Sequence, residues 1–150
     1  MRPPLRSLAR LTAAERRLAV RALALVAAFR LALWTLPARR VLSAAPRRRS
    51  RHAGVAPERM AWLVRAAGRR VPAASCLTRA LAARWLLAEA GLDSELRFGH
   101  RRDERGSFAA HAWLERRGQV LVGGDEDLAR YHRFDGAPPA VPRHTAASPR

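Results

Sequence analysis

The sequence predicts an α+β fold: a helix carrying a cysteine, packed on a small antiparallel sheet and preceded by an amphipathic N-terminal helix. Three observations predict it. Apolar residues recur with helical spacing as far as about residue 90 and alternate from about residue 94 onward. The one cysteine of the chain, Cys76, opens an apolar helical run. His111 sits in the strand-like stretch Phe108-Ala-Ala-His-Ala-Trp-Leu-Glu115. Helices followed by strands argue against a parallel, alternating α/β sheet.

Thr12-Ala-Ala-Glu15 has the form of a capping box and starts a helix predicted over residues 13–36, which Pro37 ends. Arg21 and Arg30 break its apolar run, so no uncharged stretch has the length of a membrane span or the form of a signal peptide. This helix either packs on the domain or lies on a membrane surface or partner. Residues 46–52 read as a basic solvated loop. A second helix is predicted over residues 58–70, with Met60, Leu63, Val64 and Ala67 on one face. Ser75 is the expected N-cap of the next helix, which puts Cys76 in its first turn, and Gly91 stops it after Ala90.

Residues 94–99 alternate as a half-buried strand, and 101–106 form a charged turn. Residues 108–115 and 119–122 make a hairpin with Gly118 in its turn, and 131–134 add an edge strand. From residue 136 the chain is Pro- and Ala-rich without periodicity, which predicts a disordered tail. The expected organisation is an Arg-rich helical segment (1–57), a core (58–135) and the tail (136–150).

The net charge is +17 over 150 residues, and all 29 basic residues are arginine. Residues 1–72 hold 17 arginines against Glu15 and Glu58, a balance of +15, whereas residues 73–150 balance at +2. The half with the candidate chemistry is nearly neutral, and no aromatic residues interleave with the basic ones as a nucleic-acid stacking platform requires. No nucleic acid is expected as a partner. A lone cysteine excludes an internal disulfide and fits a reducing, cytoplasmic location. No close His/Cys/acid spacing suggests zinc, and neither a phosphate loop nor a serine-hydrolase elbow is present, so no metal or cofactor is expected.

A thiol at a helix N-terminus is more acidic, because the partial positive charge of the unpaired N–H groups favours the thiolate. A histidine on a neighbouring strand then serves as base and later as acid. On the strand, His111, Trp113 and Glu115 share one face, while the small Ala110 and Ala112 on the other let the cysteine helix approach. A third group would hold the other ring nitrogen of His111. With a three-residue turn ending at Gly118, Glu115 pairs with Gln119 and His111 faces Gly123, which has no side chain. Asp125, two residues on, is then the nearest acid. Asp127 and Asp103 are weaker candidates, and each acid reads equally as a solvated loop carboxylate.

Val71-Pro-Ala-Ala-Ser-Cys-Leu-Thr-Arg-Ala-Leu-Ala82, the segment from Ala88 to Gly99, and Ala110-His-Ala-Trp113 with Gly118 resemble the leader-peptide-cleaving proteases of lasso-peptide biosynthesis, in their stand-alone form. These belong to the transglutaminase-like superfamily. The resemblance spans roughly residues 10–135 and includes the N-terminal helix ending at Trp34-Thr-Leu-Pro37. It implies a cysteine peptidase with Cys76 as nucleophile and His111 as general base. The family's usual aspartate falls at Gly123, so the third position goes to Asp125 or stays empty in a dyad. The implied partners are the leader of a precursor peptide, a separate leader-recognition protein and an ATP-dependent lasso cyclase. A peripheral membrane contact also fits the first helix. Two other readings stand beside this one: a different acyl-transfer enzyme on the same fold, and a non-catalytic basic adaptor that binds nucleic acid or membrane through residues 1–52.

Overall fold

The computed structural model describes residues 11–44, 54–102 and 106–134. The basic loop at 46–52, Asp103 and the tail from 136 lie outside the described residues. Four helices, α1 (Ala13–Thr35), α2 (Ala38–Ser43), α3 (Pro57–Gly68) and α4 (Cys76–Glu89), precede the strands. The strands are β1 (Glu95–Arg102), β2 (Phe108–Arg116), β3 (Gln119–Val122) and β4 (His132–Arg133), with a 3-10 turn at Leu128–Arg130 before β4. They form one sheet in the order β3-β2-β1-β4, antiparallel throughout. The architecture is α+β, as the order of periodicities requires.

The Thr12 hydroxyl accepts from the Glu15 N–H at 3.2 Å, while the Glu15 carboxylate accepts from the Thr12 N–H at 2.9 Å. The first helix therefore starts on a reciprocal cap that satisfies two otherwise unpaired donors. It ends before Pro37, and the short α2 that follows was not expected from the sequence. Leu18, Ala22, Leu25, Val26 and Phe29 of α1 pack into the same core as Met60, Leu63 and Val64 of α3 and Leu81, Leu86 and Leu87 of α4. Leu114, Leu121 and Val122 close that core from the sheet. On the opposite side of α1, Val20, Leu23, Leu31 and Trp34 face solvent, Trp34 at 77% exposure. By length and composition alone α1 could cross a membrane, with a mean hydropathy of 1.7. Among the described residues, two ion pairs fix it to the domain: Arg21 to Glu89 near the end of α4, and Glu15 to Arg59 of α3 at 2.7 Å.

The hairpin differs from the expected one. Arg116 pairs with Gln119, so the turn has two residues, Arg117 and Gly118, both at positive φ (48° and 79°). That is the two-residue turn whose twist matches the flanking strands, here built with an arginine where Asn or Gly would be usual. A bulge follows: Glu115 pairs with Val120 but Leu114 with Val122. Together these shift the register, so that Gly123 lies against Trp113 rather than opposite His111.

Candidate active site

Ser75 caps α4, its hydroxyl accepting from the Thr78 N–H at 3.2 Å, and Cys76 is the first residue of the helix, half-buried. The helix packs across β2. Beyond the last β2–β3 pair, Leu114 with Val122, the edge of β2 is not covered by β3. There the Cys76 sulfur lies close enough to the Ala112 N–H and the His111 side chain for both to favour its thiolate. Burial pushes the Cys76 thiol up, but the His111 hydrogen bond, the Ala112 N–H, the imidazolium charge and the Leu77 N–H together hold it below the usual thiol range.

His111 is buried. Its Nε2–H donates to the carbonyl oxygen of Gly123 at 2.8 Å. This bond fixes the ring and leaves Nδ1 as the basic nitrogen. The imidazole also touches the rings of Tyr131 (centroids 5.3 Å apart) and Trp113 (6.1 Å). Donation to the Cys76 sulfur raises the His111 pKa to about 9; burial opposes this, and the Gly123 carbonyl, the thiolate charge and Glu126 add to the rise. Both shifts favour the thiolate–imidazolium form, the one a cysteine nucleophile uses.

The structure brings Cys76 and His111 together but places Asp125 elsewhere. Its carboxylate pairs with Arg79 of α4 at 3.4 Å and is held below its usual range, with burial opposing and its own backbone N–H, Arg79 and the His111 charge prevailing. The strand ends at Val122, before Asp125, and Arg79 takes up its carboxylate, so His111 acts on Asp125 through charge alone. Asp127 caps the 3-10 turn, accepting from the Ala129 N–H at 3.2 Å. The acid between them, which the sequence reading passed over, is the one at the ring: Glu126 Oε1 lies 3.6 Å from His111 Nδ1. Nothing in the sequence distinguishes it from its two neighbours. The Gly123 carbonyl was missed as well, since a main-chain acceptor has no residue signature.

Trp113 and Glu115 share the outer face of β2 with His111. Trp113 is fully buried, its indole N–H donating to Glu115 at 2.7 Å. Glu115 also accepts from Arg133 at 2.9 Å and lies 3.5 Å from Arg97. Trp113 is therefore a packing residue, and Glu115 ties β1, β2 and β4 together. An apolar cleft of about 200 Å³ between α1 and α3, lined by Ala19, Val20, Leu23 and Leu63, lies away from the cysteine.

No curated protein and no solved structure matches the chain. The family model described as the transglutaminase-like superfamily matches residues 17–134, from within α1 to the end of the described sheet. A cysteine at a helix start, a histidine on the adjacent antiparallel strand and this match over most of the chain agree: the protein belongs to the transglutaminase-like superfamily.

Proposed function

We propose that the protein is a cysteine peptidase that removes the leader from a ribosomally made precursor of the lasso-peptide type. The observation that carries the peptidase reading is the Cys76–His111 pair: a thiol lowered by imidazolium and backbone N–H groups at a helix start, on a ring fixed through its other nitrogen. The substrate class rests on the Ser75-Cys76-Leu77 and Ala110-His111-Ala112-Trp113 motifs.

In this reading the Cys76 thiolate attacks the scissile carbonyl. The Cys76 N–H, in a first turn that offers no intrahelical acceptor, faces the developing oxyanion. The imidazolium gives its Nδ1 proton to the leaving amine, which departs and leaves a thioester on Cys76. Neutral His111 then takes a proton from water, the hydroxide attacks the thioester, and the acid product leaves as the thiolate–imidazolium pair reforms. Specificity comes from a separate leader-binding partner, and a cyclase acts on the freed core peptide.

The test is incubation of the full chain with a lasso-type precursor and its leader-binding protein, followed by peptide mass. Leader release by the wild type that vanishes in Cys76→Ala supports the reading. No release, with the leader shown to be bound, sinks it and moves the protein to another acyl transfer on the same fold. Retained release in Cys76→Ala would remove the nucleophile assignment itself.

A further inference from the structure

Three consecutive acids follow Gly123-Gly124, and each has a different partner. Asp125 turns to Arg79, and Asp127 to the N–H of Ala129. Glu126 alone turns to the histidine, Oε1 standing 3.6 Å from Nδ1. Its other oxygen, Oε2, accepts from the Tyr131 hydroxyl. That hydroxyl accepts in turn from Arg101 Nε at 2.9 Å, and the Arg101 guanidinium lies 5.4 Å from the centre of the Tyr131 ring. The same ring packs against the imidazole. A chain of contacts thus runs from β1 through the residue before β4 to a carboxylate beside Nδ1 of His111.

We propose that Glu126 is the positioning carboxylate of this site, acting through His111 to keep the proton on Nδ1 beside Cys76, with Tyr131 and Arg101 holding the carboxylate in place. The proposal rests on Cys76 and His111 being the working pair. It divides the usual third role in two: the Gly123 carbonyl orients the ring through Nε2, and Glu126 supplies the negative charge from the Nδ1 side. One feature suits Glu126 to this: its tether is a neutral hydroxyl, whereas Asp125 is paired with the guanidinium of Arg79. The charged and titratable groups around His111 are Cys76 from α4, Asp125 with its Arg79, Glu126 and Tyr131, with Arg101 behind the tyrosine.

The experiment needs no peptide substrate. Cys76 is the chain's one thiol, so its carbamidomethylation by iodoacetamide can be followed from pH 4 to 11. The His111 ring resonances are titrated in parallel. Glu126→Gln should lower the pH at which the imidazolium proton is lost by about 0.5–1 unit, the low end expected for removing a partly solvated opposite charge. Glu126→Asp, one methylene shorter, should recover part of the shift, and Asp125→Asn should move it less than Glu126→Gln does. Tyr131→Phe removes only the tether and should give an intermediate shift; it carries the test if Glu126→Gln fails to fold. An unchanged titration in folded Glu126→Gln, or a larger shift in Asp125→Asn, overturns the proposal. Because these readouts are independent of cleavage, a chain that cuts no leader can still show the shift. Leader cleavage with an unmoved titration would reject Glu126 alone.

Discussion

Gly123 meets His111 through its carbonyl oxygen, 2.8 Å from Nε2. A side chain does not fit at that position. Gly123 has φ +89°, and a Cβ there would stand 2.7 Å from the Trp113 Cβ and 2.9 Å from the Ala112 carbonyl oxygen.

Placing an acid there should therefore do harm. Gly123→Asp forces a side chain into backbone and fully buried tryptophan at a φ that L-residues avoid, at a cost of about 1–3 kcal/mol. Urea denaturation should show the loss, and thiol alkylation at neutral pH should slow as the ring loses its anchor. A stable, more reactive Gly123→Asp would mean that the loop readily adopts another path.

Asp125 gives the opposite expectation. Its pair with Arg79 is largely exposed at the carboxylate, and such pairs contribute roughly 0–1 kcal/mol. Asp125→Ala should leave the Cys76 alkylation rate within about fivefold of wild type, the span of that energy. A hundredfold loss would return Asp125 to the site.

The raised imidazolium makes stability depend on pH. His111 binds its proton more tightly folded, at about 9 against an ordinary 6.5, so its contribution is complete below 6.5 and is lost as pH rises through about 9. Cys76 has the opposite sign: its lowered pKa contributes above the ordinary thiol value and is lost as pH falls through the lowered one. Above pH 6.5 the two changes offset each other, so the Tm difference between wild type and His111→Gln should stay nearly flat from pH 7 to 9 and narrow as pH falls below 6.5 toward the lowered thiol value, measured by thermal melts at fixed ionic strength. A gap that grows toward acid would reverse the assigned directions.

Glu115 predicts the largest purely structural effect. It is buried and accepts from the Trp113 indole and Arg133. Glu115→Ala strands the indole N–H and should cost about 2–4 kcal/mol in urea denaturation, while Glu115→Gln, which keeps an acceptor, should cost less. Equal losses in both variants would show that charge, not the hydrogen bond, is what matters there.

What the sequence disclosed was local. Thr12 and Glu15 announce their cap, Ser75 places Cys76 in a first turn, and the alternation around His111 sets its face; each signal lies within four or five residues of what it determines. The third member of the site was hidden because it depends on counting across a hairpin. Arg117 adopts positive φ without a glycine's signature, and a bulge at Leu114/Glu115 adds its own shift. Either alone would change which loop residue meets His111. The choice among Asp125, Glu126 and Asp127 then depended on Arg79 and Tyr131, which no short pattern connects to them.

Helix α1 is apolar on both its buried and its exposed sides. Burial alone therefore gives little preference for one azimuth over another, since a rotated helix would present Val20, Leu23, Leu31 and Trp34 to the core instead. Arg21 on Glu89 and Glu15 on Arg59 act as detents that select one rotation. Their worth is uniqueness more than stability, as with other polar pairs that fix registry. Because Glu89 sits at the far end of the helix that begins with Cys76, the angular setting of α1 bears on the seating of the helix that carries the thiol.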